Sequence, residues 1–168
     1  MRRFLEWKGY ALVALTARIY LAVVFLMACY HKLLDPAAFA LDIATYQIMP
    51  LATVNLMAIV LPWVELVAGL MLLVGFRTRA GALLVAAMMT VFTAAIAVAL
   101  RRGLEMSCGC FASQGAAEDP IAWVTILRDL GWLALALYVL FMDRNSIGID
   151  RLLGRRPGTL PATTEVMR

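Results

Sequence analysis

A chain of 168 residues suits a single domain. Its composition is 64% hydrophobic and 15% charged, where a soluble domain has roughly half and a quarter. A fold this small cannot hide so much apolar surface from water, so an ordinary soluble domain is excluded and the surplus must face lipid.

Four apolar stretches, at about 11–31, 53–75, 80–100 and 121–142, predict transmembrane helices. Each has a length that, as helix, matches a hydrocarbon core roughly 30 Å thick. Barrel strands would be about half as long and would alternate apolar with polar, and these stretches do not. The expected fold is all-α: a four-transmembrane-helix up-down bundle with a short amphipathic periplasmic helix between helices 1 and 2. Leu26-Met27-Ala28-Cys29, near the end of the first stretch, faintly resembles a lipoprotein cleavage box. Arg18 interrupts the apolar run, however, and the run is long for a signal core, so a retained helix is expected. Asp35-Pro36 then reads as an N-cap with proline at the first helical position, opening a segment over Pro36–Ile48 that is too polar to span. Phe39, Ile43 and Tyr46 or Gln47 recur there at helical spacing, which suits a helix lying at the membrane surface, and Pro50 ends it. The short turn Gly75–Arg79 makes helices 2 and 3 an antiparallel hairpin, and Asp119-Pro120 repeats the cap-and-proline signal before helix 4. The membrane domain covers 1–143. The tail, 144–168, has Gly, Pro, Thr and Arg without an apolar period and is expected to be loosely ordered.

Basic residues set the orientation. With both ends on one side, that side holds Arg2, Arg3, Lys8, Arg77, Arg79, Arg144, Arg151, Arg155, Arg156 and Arg168, and the other holds Lys32, Arg101 and Arg102. The positive-inside rule places both termini in the cytoplasm of a bacterial inner membrane and turns the 33–53 and 101–120 loops outward, toward a periplasm. This topology accounts for the pI near 9.3 without a nucleic-acid partner.

Arg18, Glu65 and Arg128 fall inside apolar helices. A charge at a helix centre costs roughly 2.5–3.5 kcal/mol on insertion scales, so each should face protein and find a partner. Glu65 and Arg128 lie at similar depths below the outer ends of their helices, which makes a Glu65–Arg128 ion pair the first expectation. Arg18, deeper, either reaches Glu65 from below or snorkels toward the cytoplasm. Ala14, Arg18, Ala22, Phe25, Cys29 and Lys32 share one helical face, and Pro62 and Gly69 share the face of Glu65, where small residues permit close helix approach. Two readings stand together. The charges lock the helices, or they form a polar site for a quinone, a proton or a small substrate.

Of the three cysteines, Cys29 lies in helix 1, while Cys108 and Cys110 form Ser107-Cys108-Gly109-Cys110-Phe111 in the second outward loop. That loop faces an oxidising compartment. Glycine's backbone freedom permits a small disulfide ring, but so short a loop gains little as a staple, so the pair suits thiol–disulfide exchange. Arg101, Arg102 and Lys32 are nearby cations that favour the reactive thiolate. An incidental pair, or a soft-metal site (Cu, Hg or Zn) completed by Cys29 or by His31, the one histidine, remain open beside it.

Several stretches, taken together and in order, resemble the MauE branch of the DoxX-like membrane family over about 18–129. They are Phe25-Leu26, Lys32-Leu33-Leu34-Asp35-Pro36 with Phe39, then Tyr46 and Pro50, and Leu61-Pro62-Trp63-Val64-Glu65-Leu66 with Gly69-Leu70 and Leu72-Leu73. Val91-Phe92-Thr93, Arg102-Gly103, Cys108-Gly109-Cys110-Phe111 and Leu127-Arg128-Asp129 follow. The sequence departs from the pattern at Ala112 and at Cys29, where the family usually has glycine; Cys29 is expected to be a small buried residue rather than a resolving thiol. The resemblance implies a redox task outside the cytoplasm. The best-known member is needed to mature methylamine dehydrogenase, a disulfide-rich periplasmic enzyme, alongside a thioredoxin-like partner, and other DoxX-like proteins are linked to quinone-dependent sulfur oxidation. Carried onto this chain, it makes Cys108 and Cys110 a redox pair exchanging with a thioredoxin-like protein, and Glu65, Arg128 and Arg18 a polar site for a quinone. A maturation factor without turnover of its own, or a soft-metal carrier, are the alternatives.

Overall fold

The computed structural model describes residues 9–104, 122–143 and 148–149, and all its regular structure there is helical. Five helices follow in order: α1 (Gly9–Leu34), α2 (Pro36–Thr45), α3 (Leu51–Val74), α4 (Thr78–Arg101) and α5 (Trp123–Met142). All but α2 are long and apolar enough to cross a membrane. A helix satisfies its own backbone hydrogen bonds, which is the condition for crossing a medium without water. Pro62 sits inside α3 without ending it, as spanning helices tolerate where neighbours accommodate the freed backbone group.

The ends of the elements follow local chemistry. The Asp35 side chain accepts a hydrogen bond from the Ala38 N–H at 2.9 Å, and Pro36 opens α2 as its first residue. This helix is shorter than expected. It ends at Thr45, and Gln47 turns the chain with a φ of 51°, so Pro50 stands before α3 as its N-cap instead of terminating α2. Tyr46, and not Gln47, turns inward. Gly75 takes the left-handed conformation (φ 70°) that ends α3, its N–H bonding to the Met71 carbonyl. Arg77 is also left-handed, and α4 begins at once with Thr78, so the reversal is tighter than the Gly75–Arg79 span expected. At the start of α5, Ala122 is extended and the helix begins at Trp123, after the Asp119-Pro120 pair expected to open it; those two residues lie outside the described ones. Of the tail, Gly148 rests on the α3–α4 turn so closely that a Cβ there would lie 2.8 Å from the Gly75 carbonyl oxygen.

The spanning helices pack as α1 on α3, α3 on α4, α4 on α5 and α5 on α1. Every member of the expected α1 stripe, Ala14, Arg18, Ala22, Phe25, Cys29 and Lys32, is buried. Leu56, Ile59, Val91, Leu127 and Phe141 turn outward, as lipid-facing side chains do. The central core is dry: Leu21, Ala22, Ala68, Leu72, Ala82, Val85, Ala136 and Val139 have no exposed surface. A second, smaller apolar cluster of Tyr46, Ile96 and Ala99, with Phe92 beside them, fixes the end of α2 against the last turns of α4.

Close approach of α1 and α3 depends on Gly69, where a Cβ would meet Leu26 Cγ at 3.0 Å and the Ala22 carbonyl oxygen at 3.5 Å. Gly131 on α5 has nothing within 4 Å of the same position. Gly69→Leu should therefore destabilise the bundle by about 1–3 kcal/mol through overpacking, while Gly131→Leu stays near wild type. Thermal melting in detergent reads the difference, and equal melting of the two variants would refute this account of α1–α3 packing.

Candidate functional site

The buried stripe of α1 ends in the site. Lys32, in the last turn of α1, reaches Glu65 in the middle of α3, its Nζ donating to Oε1 at 2.6 Å. Both side chains are more than nine-tenths buried. The Phe39 ring of α2 lies over the ammonium, 4.9 Å from ring centroid to Nζ, and is itself buried. α2 therefore closes one end of the bundle above an ion pair, with a cation–π contact on the lysine. Cys29 lies one turn before Lys32 on the same face, buried, with its thiol donating to the Leu26 carbonyl at 3.2 Å and with Glu65 and Lys32 as its charged neighbours. Glu65 Oε2 is buried and has no hydrogen-bond partner among the described residues.

This arrangement corrects the expected pairing. Glu65 takes Lys32 and not Arg128. The sequence puts Lys32 on the outward side, just past the expected end of helix 1 at about 31, but α1 continues to Leu34 and carries Lys32 inward. The signal was present in the α1 stripe, whose last member is Lys32. Arg18 does not reach Glu65 either. It pairs with Asp143, at the C-terminal end of α5, Nη1 to Oδ2 at 3.2 Å, and both are buried. Asp143, the last residue of the expected membrane domain, is not among the charges that the sequence places inside apolar helices. A carboxylate at a helix C-terminus opposes the helix dipole, and Arg18 offsets that charge. Arg128 instead donates from Nε to its neighbour Asp129 at 3.4 Å and lies over the Trp132 ring, 5.0 Å from the centroid.

Arg18, Glu65 and Arg128 thus each pair with another residue: Asp143, Lys32 and Asp129. On α1, the buried apolar residues Leu21, Ala22 and Phe25 lie between Arg18 and Lys32.

Cys108 and Cys110 lie outside the described residues. The loop that carries them leaves α4 at the end closed by α2, and its start is fixed there: Arg102 Nη1 donates to the Gln47 carbonyl at 3.1 Å. His31 is exposed, edge-on to Tyr30, while Cys29 is buried, so the two point to different faces of α1. No cluster of three metal-ligating side chains occurs among the described residues.

Lys32→Met should leave the Glu65 carboxylate uncompensated in the bundle and cost about 3–5 kcal/mol, the range for breaking a buried pair. Lys32→Met with Glu65→Leu should recover most of the loss, because it removes both charges. A double-mutant cycle read by melting in detergent measures the coupling, and additive losses would rule out the pair. Arg128→Met should show no such coupling to Glu65→Leu.

No solved structure matches this chain. It is 33% identical over 123 residues to the methylamine utilization protein MauE of Paracoccus denitrificans, covering 73% of this chain and 65% of that relative, so it spans just under two thirds of that protein's length. It is 32% identical over 139 residues to the methylamine utilization protein MauE of Methylophilus methylotrophus, covering 82% of this chain and 73% of that relative. The family model for methylamine utilisation protein MauE matches residues 10–142, from the first turn of α1 to the last residue of α5. With four helices long and apolar enough to span, and a match covering all of them, the chain is a multi-pass membrane protein that belongs to the MauE family.

Proposed function

We propose that this protein is a membrane thiol–disulfide redox protein that supports the maturation of proteins outside the cytoplasm. Its reactive pair is Cys108 and Cys110, and its partner is a thioredoxin-like protein. The observation that supports the reading is the end of α4, after which the Cys-Gly-Cys motif follows in sequence: it lies at the end of the bundle closed by α2, and Arg102 Nη1 donates there to the Gln47 carbonyl of the α2–α3 connection. The distribution of basic residues turns that end outward from the inner membrane and leaves both termini in the cytoplasm.

The exchange balances between thiols alone. A thiolate of the reduced partner attacks one sulfur of the Cys108–Cys110 disulfide. The S–S bond breaks, and the released thiolate takes up a proton. The partner's second thiol then attacks the mixed disulfide, so the partner leaves with a disulfide and Cys108 and Cys110 are left as two thiols. Two electrons and two protons have moved, and the reverse direction uses the same steps. Arg101 and Arg102, exposed where α4 ends, are cations placed to favour the thiolate form in this loop. This exchange itself needs no quinone.

Thiol trapping in acid-quenched membranes tests the reading. With a bulky maleimide, wild type should label at Cys108 and Cys110 only after mild reduction. Cys29, buried, should label only after denaturation in both states. A Cys108→Ser variant should accumulate a mixed disulfide through Cys110. Activity retained by a Cys108→Ser, Cys110→Ser double variant in a complementation assay would favour a maturation factor without turnover. Thiols that become reactive only after chelation would favour a soft-metal carrier.

A further inference from the structure

Glu65 has one oxygen engaged and one idle. Oε1 takes the Lys32 ammonium at 2.6 Å, while Oε2 is buried and has no hydrogen-bond partner among the described residues. Both oxygens of an ionised carboxylate are strong acceptors, and leaving one of them dry inside a protein is unfavourable. The donors beside it are committed elsewhere. The Cys29 thiol donates to the Leu26 carbonyl, and the Lys32 ammonium serves Oε1 with the Phe39 ring against it.

A second acceptor stands on the same face of α3. Pro62 lies inside the helix and carries no N–H, so the Ala58 carbonyl, four residues earlier, loses the donor that a regular helix supplies. Ala58, Pro62 and Glu65 are all buried. Ala58 and Glu65 stand nearly two turns apart and so share one side of the helix. Helix carbonyls point toward the C-terminal end, and side chains lean toward the N-terminal end. The freed carbonyl and the Glu65 carboxylate are therefore directed toward the same level, that of Pro62.

We infer that Glu65 Oε2 and the Ala58 carbonyl hold one buried water molecule, which donates a hydrogen to each and joins the proline turn of α3 to the Lys32–Glu65 pair. Two acceptors without donors select a ligand that brings two donors of its own. Charge selects a neutral one, because Lys32 already balances Glu65 and a metal cation would meet the ammonium. Buried waters make about three hydrogen bonds, and an ammonium with three hydrogens has one to give to the water's oxygen. Ordered water is also one of the means by which a spanning helix satisfies a carbonyl freed by proline. The inference is independent of the thiol chemistry of Cys108 and Cys110, and its test reads the water alone.

X-ray radiolysis turns water in place into hydroxyl radicals, which oxidise the side chains beside it. Full-length protein in lipid nanodiscs is irradiated, digested and read by mass spectrometry. Cys29, buried with Glu65 as a neighbour, is the reporter, and Met89, buried in the apolar core, is the dry control. Both residue types oxidise readily. Wild type should be oxidised at Cys29 and not at Met89. Pro62→Ala restores the N–H that Ala58 lacks, and Lys32→Met with Glu65→Leu removes the carboxylate together with its cation. Each variant should lose the oxidation at Cys29. Oxidation of Cys29 no greater than that of Met89, or undiminished in either variant, overturns the bridge. Maleimide labelling of Cys29 in native wild type would also overturn it, since bulk water would then explain the oxidation. A melting temperature raised by sodium chloride over choline chloride, in wild type and not in the double variant, would replace the water with a cation.

Discussion

The Lys32–Glu65 ion pair is the contact on which the order of this bundle most depends. Neither charge has water to turn to, and both sit more than nine-tenths buried on the two helices that pack most closely. For the lysine to reach the carboxylate, the last turn of α1 must stand beside the middle of α3. Gly69, one turn further along α3, sets how near the two helices come. Once that register is fixed, α1 ends before α3 does, and α2 is left to cover the difference. Asp35 breaks the helix at the required point and Phe39 lays its ring on the lysine. A single electrostatic requirement thus sets the register in which α1, α2 and α3 meet.

The Arg18–Asp143 pair does similar work at the opposite end, tying the start of α1 to the end of α5. Buried ion pairs add little net stability over well-packed apolar residues, but each strongly disfavours any arrangement that separates its members. In a medium where apolar side chains gain nothing by leaving lipid for protein, such pairs and small residues at contacts specify which helices meet. Their role in this chain is selection of a register more than strength.

Much of this was legible in the sequence, and the exceptions have physical causes. Four spans, the cap at Asp35, the hairpin at Gly75 and the inward face of α1 follow from apolar length and helical spacing, which are local properties. The pairing of charges is not local. Glu65 and Arg128 stand at comparable depths, but depth says nothing of which way each points around its helix, and Arg128 turns outward while Asp129 turns in. Lys32 and Asp143 lie at helix ends, where charges usually meet water, so position along the chain does not mark them as partners. The family resemblance was carried by short motifs in order, and it holds across the whole membrane domain. The two cysteines that define the proposed chemistry were found from sequence alone, since a loop leaves no periodic trace by which to place it.

The layer of Leu21, Leu72 and Val85 has a consequence for what the bundle tolerates. These three side chains are apolar and have no exposed surface, so a charge introduced among them would meet neither water nor a counter-ion from the layer itself. Arg18 and Lys32, on either side of Leu21 along α1, each hold a carboxylate from outside that helix. The layer thus filters substitutions as the ion pairs filter register: an apolar exchange of similar size passes, and a single lysine does not.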